Sequence, residues 1–192
     1  MDAEALTEQE KICLLQIARQ ALEQAVGQIK TASPVVQSSS ARLQQPGASF
    51  VTLTINGNLR GCIGALEPYQ PLIEDVREHA MAAALQDYRF PPVTVEELAG
   101  IRIEVSRLTK PRPLDYADAE DLLKKLQPQI DGVVIRDGFL RATFLPQVWE
   151  KIPDPVEFLE HLCSKMGASP DLWRHKHLDV LVYQVEEFRE PQ

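Results

Sequence analysis

Leu15, Ala18, Leu22 and Val26 recur at steps of three and four residues, so the spacing predicts an amphipathic helix with one apolar face. Thr7-Glu8-Gln9-Glu10 forms a capping box at its start, and Gly27 lies near its end. Thr31 to Gly47 is rich in Ser, Gln, Pro and Ala without any period, which predicts a long loop over 31–48. The period then changes to two: Val51, Leu53 and Ile55 alternate with Thr52 and Thr54, and Asn56-Gly57 supplies a type I′ turn into a return strand, Asn58 to Gly64. Pro71 fits the first turn of a helix carrying Leu72, Ile73, Val76, Ala80 and Ala84 and ending near Asp87. A second capping box, Thr94 to Glu97, opens a short helix that Gly100 stops, and Ile101 to Ser106 alternates as a half-buried strand. Lys110-Pro111-Arg112-Pro113 interrupts the pattern. Beyond it the spacing predicts a helix over Asp118 to Gln127, a hairpin of Val133–Ile135 and Leu140–Phe144 around Asp137-Gly138, a helix from Pro155 with a Gly167 cap, and a strand over Leu178 to Val185.

Hairpins mixed with helices, without an internal repeat, predict an α+β fold rather than a regular βαβ sheet. At 192 residues the chain is long enough for one large domain or two small lobes, and its apolar and charged fractions are those of an ordinary folded protein. With 28 acidic against 20 basic residues and no basic cluster, the net charge of −8 argues against generic nucleic-acid binding. Met1-Asp2-Ala3-Glu4 lacks the basic and apolar regions of a secretory signal, and no run of 18 apolar residues occurs, so a cytoplasmic protein without a membrane span is expected. The three cysteines, at 13, 62 and 163, are too few and too scattered for a disulfide framework or a cysteine-rich zinc site.

Cys62 is the leading candidate for chemistry. Strand spacing puts Arg60 and Cys62 on one face, where a guanidinium would favour the thiolate, and Gly61 and Gly64 would let a ligand reach backbone N–H groups. The other reading is a small core cysteine beside two glycines that let a strand bend. Cys13 and Cys163 lie on apolar helical faces as core or near-core residues. His175-Lys176-His177 has metal-site spacing but no carboxylate or cysteine to complete it, and His79 and His161 read as surface histidines, so no metal is expected. Asp87 to Pro92 combines a carboxylate, the Arg89 guanidinium and aromatic surface; Asp87 either lines a site or simply pairs with Arg89. Glu104 and Ser106 share one face of their strand and either line a groove or face water. No common nucleotide, hydrolase or metalloprotease motif is present, and no cofactor is expected.

Leu59-Arg60-Gly61-Cys62-Ile63-Gly64, Asp87 through Pro92, Glu104-Val105-Ser106 and Thr143 through Trp149 together resemble the AMMECR family, also called AmmeMemoRadiSam system protein A, over roughly Thr7 to Phe188. The resemblance implies a single two-lobed domain: a larger lobe around a mostly antiparallel sheet with flanking helices, a smaller α+β lobe beside it, and a cleft near Cys62. It also implies Memo-type and radical-SAM proteins as partners in a modification pathway. Asp131-Gly132 stands where some members of the family have His-Gly, so a general-base role for that histidine does not carry over; Asp131 is either a carboxylate base or part of a turn. Two functions follow: an enzyme with Cys62 as nucleophile, Arg60 stabilising its charge and Asp87 and Arg89 orienting substrate, or a non-catalytic scaffold that uses the same cleft.

Overall fold

The computed structural model describes residues 5–27 and 40–191. It divides into two compact units, one of residues 109–185 and the other of the residues on either side of that segment. The flanking unit comprises α1 (Glu8–Gly27), β1 (Pro46–Ile55), β2 (Asn58–Gly64), β3 (Gln70–Pro71), α2 (Leu72–Leu85), a 3-10 turn (Val95–Gly100), β4 (Ile101–Leu108) and β9 (Val185–Arg189). Its sheet has the order β2-β1-β4-β9, with β3 beside β1, and β1 runs antiparallel to β2, β3 and β4. Leu14, Ala18 and Leu22 of α1 and Ile73, Val76 and Ala80 of α2 share one core with Val51, Leu53, Ile103 and Val105 of the strands.

Local chemistry accounts for the element ends. The Thr7 amide donates to the Glu10 carboxylate at 2.8 Å and the Glu10 amide to the Thr7 hydroxyl at 3.2 Å, so two orphan donors of α1 are satisfied reciprocally. Asn56 and Gly57 have φ of 51° and 78°, as the type I′ turn between β1 and β2 requires. The loop expected over 31–48 is shorter at its C-terminal end. Residues 46–48 already belong to β1, where Pro46 and Gly47 pair with Pro71 and Gln70; residues 28–39 lie outside the described part.

The inserted unit comprises β5 (Arg112–Pro113), α3 (Ala119–Lys125), β6 (Gly132–Asp137), β7 (Leu140–Phe144), a 3-10 turn (Pro146–Glu150), α4 (Pro155–Met166), α5 (Leu172–His175) and β8 (Asp179–Tyr183). Its sheet has the order β5-β8-β6-β7, and each strand runs antiparallel to its neighbours. The rings of Trp149 and Phe158 stack at 3.6 Å in a core with Leu122, Ile135, Leu159 and Trp173. The strand expected over Leu178 to Val185 is divided: β8 belongs to this sheet, and after Gln184 the chain enters the other sheet as β9. With these divisions the fold is α+β, as the pattern predicts. No helix of the described residues is long and apolar enough to cross a membrane.

Candidate functional site

Near their turn, β1 and β2 pair as a two-residue hairpin demands, Ile55 with Asn58 and Thr54 with Leu59; β2 then gains one residue at Arg60, and pairing resumes with Leu53 opposite Gly61 and Thr52 opposite Cys62. A slip of one residue exchanges the two faces of a strand. Without it Cys62 would stand opposite Val51 and point into the core; with it Cys62 stands opposite Thr52. Thr52 also pairs with Glu104 of β4, so Cys62, Thr52 and Glu104 form one row across three strands, each half-buried. The Thr52 hydroxyl donates to Cys62 Sγ at 3.3 Å, and Arg189 Nε lies 3.6 Å from the Glu104 carboxylate. The next row on the same face is Gly64, Phe50 and the buried Ser106.

The backbone of Cys62 is clamped from outside the sheet. The buried Asp87 carboxylate accepts the Cys62 amide at 2.9 Å and the Nε and Nη2 of Arg89 at 2.9 and 2.6 Å, while Arg89 Nη2 also donates to the Cys62 carbonyl at 3.1 Å. Hydrogen bonds from Arg89 hold the Asp87 carboxyl far below the usual carboxylate range; burial opposes them, and the Cys62 amide reinforces them. Asp87 is thus a structural tie, and the reading in which it orients substrate finds no free oxygen to do so.

Three expectations for this strand are corrected. Arg60 does not serve the thiol: its guanidinium forms a two-pronged pair with Glu97, at 2.7 and 2.9 Å, and donates to the carbonyls of Pro91 and Pro92. Arg60 in turn holds the Glu97 carboxyl down to about 2, assisted by the Thr94 amide. The Gly61 backbone is not open to a ligand, because a Cβ there would lie 2.2 Å from the Ala83 carbonyl of α2. Gly64 is filled in the same way: a Cβ would lie 2.4 Å from the Phe50 ring and from the Ser49 carbonyl. Both glycines are required by close packing, and the Cys62 amide is already used by Asp87.

Among the remaining candidates, Asp131 is buried, its carboxylate accepts the Gln127 amide at 2.9 Å, and burial raises its pKa. His175 pairs with Asp171 and His177 stacks on Tyr116, so they do not converge; among the described residues no three His, Cys, Asp or Glu are grouped to hold a metal. Cys163 is buried in the core of the inserted unit and Cys13 packs partly buried against the other core, while His161 is exposed. His79 is not a surface residue. Its ring is buried on the inner face of α2, with Nδ1 3.2 Å from the fully buried Asp75, which also accepts the Ser49 hydroxyl at 2.6 Å. Asp75 and His79 are four residues apart and flanked by Ile73, Val76 and Ala80, a spacing that places both toward the core. Thr52 and Glu97 also escaped sequence reasoning as site residues, Thr52 because its partner depends on the slip at Arg60.

The signature strand and its clamp sit within a wider likeness. The family model AMMECR1 matches residues 15–188. A protein of Thermofilum pendens is 37% identical over 96% of this chain and 92% of its own length, and Protein MJ0810 of Methanocaldococcus jannaschii is 39% identical over 81% and 79%. The crystal structure of the uncharacterized protein PH0010 from Pyrococcus horikoshii superposes with a TM-score of 0.76 at 32% identity, covering 96% of this chain and 93% of that one. A model that spans nearly all of both sequence units, together with relatives of similar length, leaves one conclusion: the chain belongs to the AMMECR1 family.

Proposed function

We propose that the chain is a Cys62-centred enzyme in a modification pathway, working beside the Memo-type and radical-SAM proteins that the family likeness implies. The observation that carries this reading is the row Cys62–Thr52–Glu104, with the Thr52 hydroxyl hydrogen-bonded to Sγ. A hydroxyl that donates to sulfur stabilises the charge of a thiolate, and a carboxylate one strand further supplies the proton acceptor that a nucleophilic cysteine needs. The Glu104 carboxylate takes up the thiol proton, and the Thr52 hydroxyl, donating to Sγ, stabilises the thiolate that is left. The thiolate then forms an S–C bond with an electrophilic carbon of the substrate, and the leaving group departs with its bonding electron pair and takes the proton back from Glu104. The clamp of Asp87 and Arg89 keeps the Cys62 backbone fixed while this happens.

Alkylation of the native protein, read peptide by peptide, tests the proposal. Cys62 should react faster than Cys13 and Cys163, and Thr52→Val should slow Cys62 alone; protection of Cys62 until the protein unfolds would overturn it. A scaffold reading is favoured by a different observation: Tyr88 is 95% exposed in the loop whose neighbours Asp87 and Arg89 are committed to internal contacts. In that case Cys62→Ser would keep full function in a pathway assay and Tyr88→Ala would abolish partner binding.

A further inference from the structure

A separate cleft of about 310 Å³ lies within the inserted unit, lined in part by Pro113, Asp115, Arg136, His177, Asp179 and Leu181. Strand register explains the grouping. Arg136 of β6 stands directly opposite Asp179 of β8, and two residues further along β8 Leu181 stands opposite Pro113 of β5, so these four occupy one face of the sheet. Opposite charges in that position ordinarily pair. Here neither the Arg136 nor the Asp179 side chain has an ion pair or a hydrogen bond among the described residues, and both are exposed.

One wall of the cleft is held rigidly. The His177 ring stacks on Tyr116 with centroids 4.2 Å apart and planes 18° apart. Tyr116 is itself fixed by its hydroxyl, which donates to the Leu178 carbonyl at 2.9 Å and accepts the Leu178 amide at 2.7 Å. Burial raises the pKa of that hydroxyl, and the nearby Asp179 charge adds to the effect.

The cleft therefore offers one guanidinium, two carboxylates and a small apolar surface. A simple anion is repelled by Asp115 and Asp179, a simple cation by Arg136, and an apolar molecule would strip water from unpaired charges. A small zwitterion satisfies all of them. We propose that the cleft binds a free α-amino acid with an apolar side chain, its carboxylate on Arg136, its ammonium on Asp179 and Asp115, and its side chain against Pro113 and Leu181.

Calorimetry on the full chain with leucine, N-acetylleucine and leucinamide tests this. Leucine should bind with a dissociation constant on the order of a millimolar, and each derivative, lacking one charge, should bind about tenfold more weakly or less. Arg136→Gln should erase the preference for leucine over leucinamide, and Asp179→Asn the preference over N-acetylleucine. Both side chains are exposed, so both variants should melt within a few degrees of the parent. Cys62→Ser should leave leucine binding unchanged, which keeps this proposal separate from the thiol chemistry. Absence of leucine binding, equal affinity for the three compounds, or unchanged preferences in both variants would overturn it.

Discussion

The carboxylates of Asp87 and Glu97 each fix an arginine, and each is held below its ordinary pKa by that arginine first. For Glu97 the folded-state value of about 2 lies below the ordinary 4.5, so its stabilising contribution is complete above the higher value and is lost as pH falls through the lower one. Asp87 acts in the same direction. The stability gap between the parent and Glu97→Gln, measured by urea unfolding, should therefore be widest near neutral pH and close as pH falls from about 4.5 toward 2. Asp87→Asn should cost about 2 to 4 kcal/mol at neutral pH, because it removes the buried charge that Arg89 pairs with and replaces one of the two accepting oxygens by an amide donor that faces other donors. If that variant proved as stable as the parent, the clamp would have no structural weight.

Among the elements, β2 is governed by what presses on it. Gly61 admits the Ala83 carbonyl of α2, so Gly61→Ala should lower stability by roughly 1 to 3 kcal/mol in denaturant melts, with Cys62 displaced as the strand backs away. An unchanged midpoint would mean that α2 can yield. This strand also marks how far the sequence can be read. The hairpin, its Asn56-Gly57 turn, both capping sequences and the two long helices were legible because each is set by neighbours in the chain. The slip at Arg60 was not, since Arg60 is drawn out of register toward Glu97, Pro91 and Pro92, more than 30 residues away. For that reason Cys62 and Glu104 were each legible as candidates, while Thr52, which joins them in one row, was not. His79 was misread because one polar residue on an amphipathic helix looks solvated until its buried partner Asp75, which Ser49 also holds, is known. Leu178 to Val185 looked like one strand because its hydrophobic pattern carries no sign of a change of sheet at Gln184.

For the whole molecule, the division into two cores predicts where a core defect will be felt. Leu159→Ala, which empties space in the inserted unit, should cost about 2 to 5 kcal/mol and speed amide exchange in residues 109–185 more than in β1 and β4. Equal acceleration throughout would mean that the two cores open as one. The chain enters and leaves the inserted unit at a single place: the Thr109 amide donates to the Gln184 carbonyl and the Gln184 amide to the Thr109 hydroxyl, both at 2.8 Å. Beyond this pair, β4 and β9 are already neighbours in one sheet, and Arg107 reaches Glu186 at 3.5 Å. Residues 109–185 are thus a cassette on an existing hairpin. A short glycine-containing turn joining Leu108 to Glu186 would convert β4 and β9 into an ordinary hairpin and make the Cys62 unit a free-standing miniprotein, while the excised cassette, with its ends already side by side, would be a natural substrate for head-to-tail cyclisation.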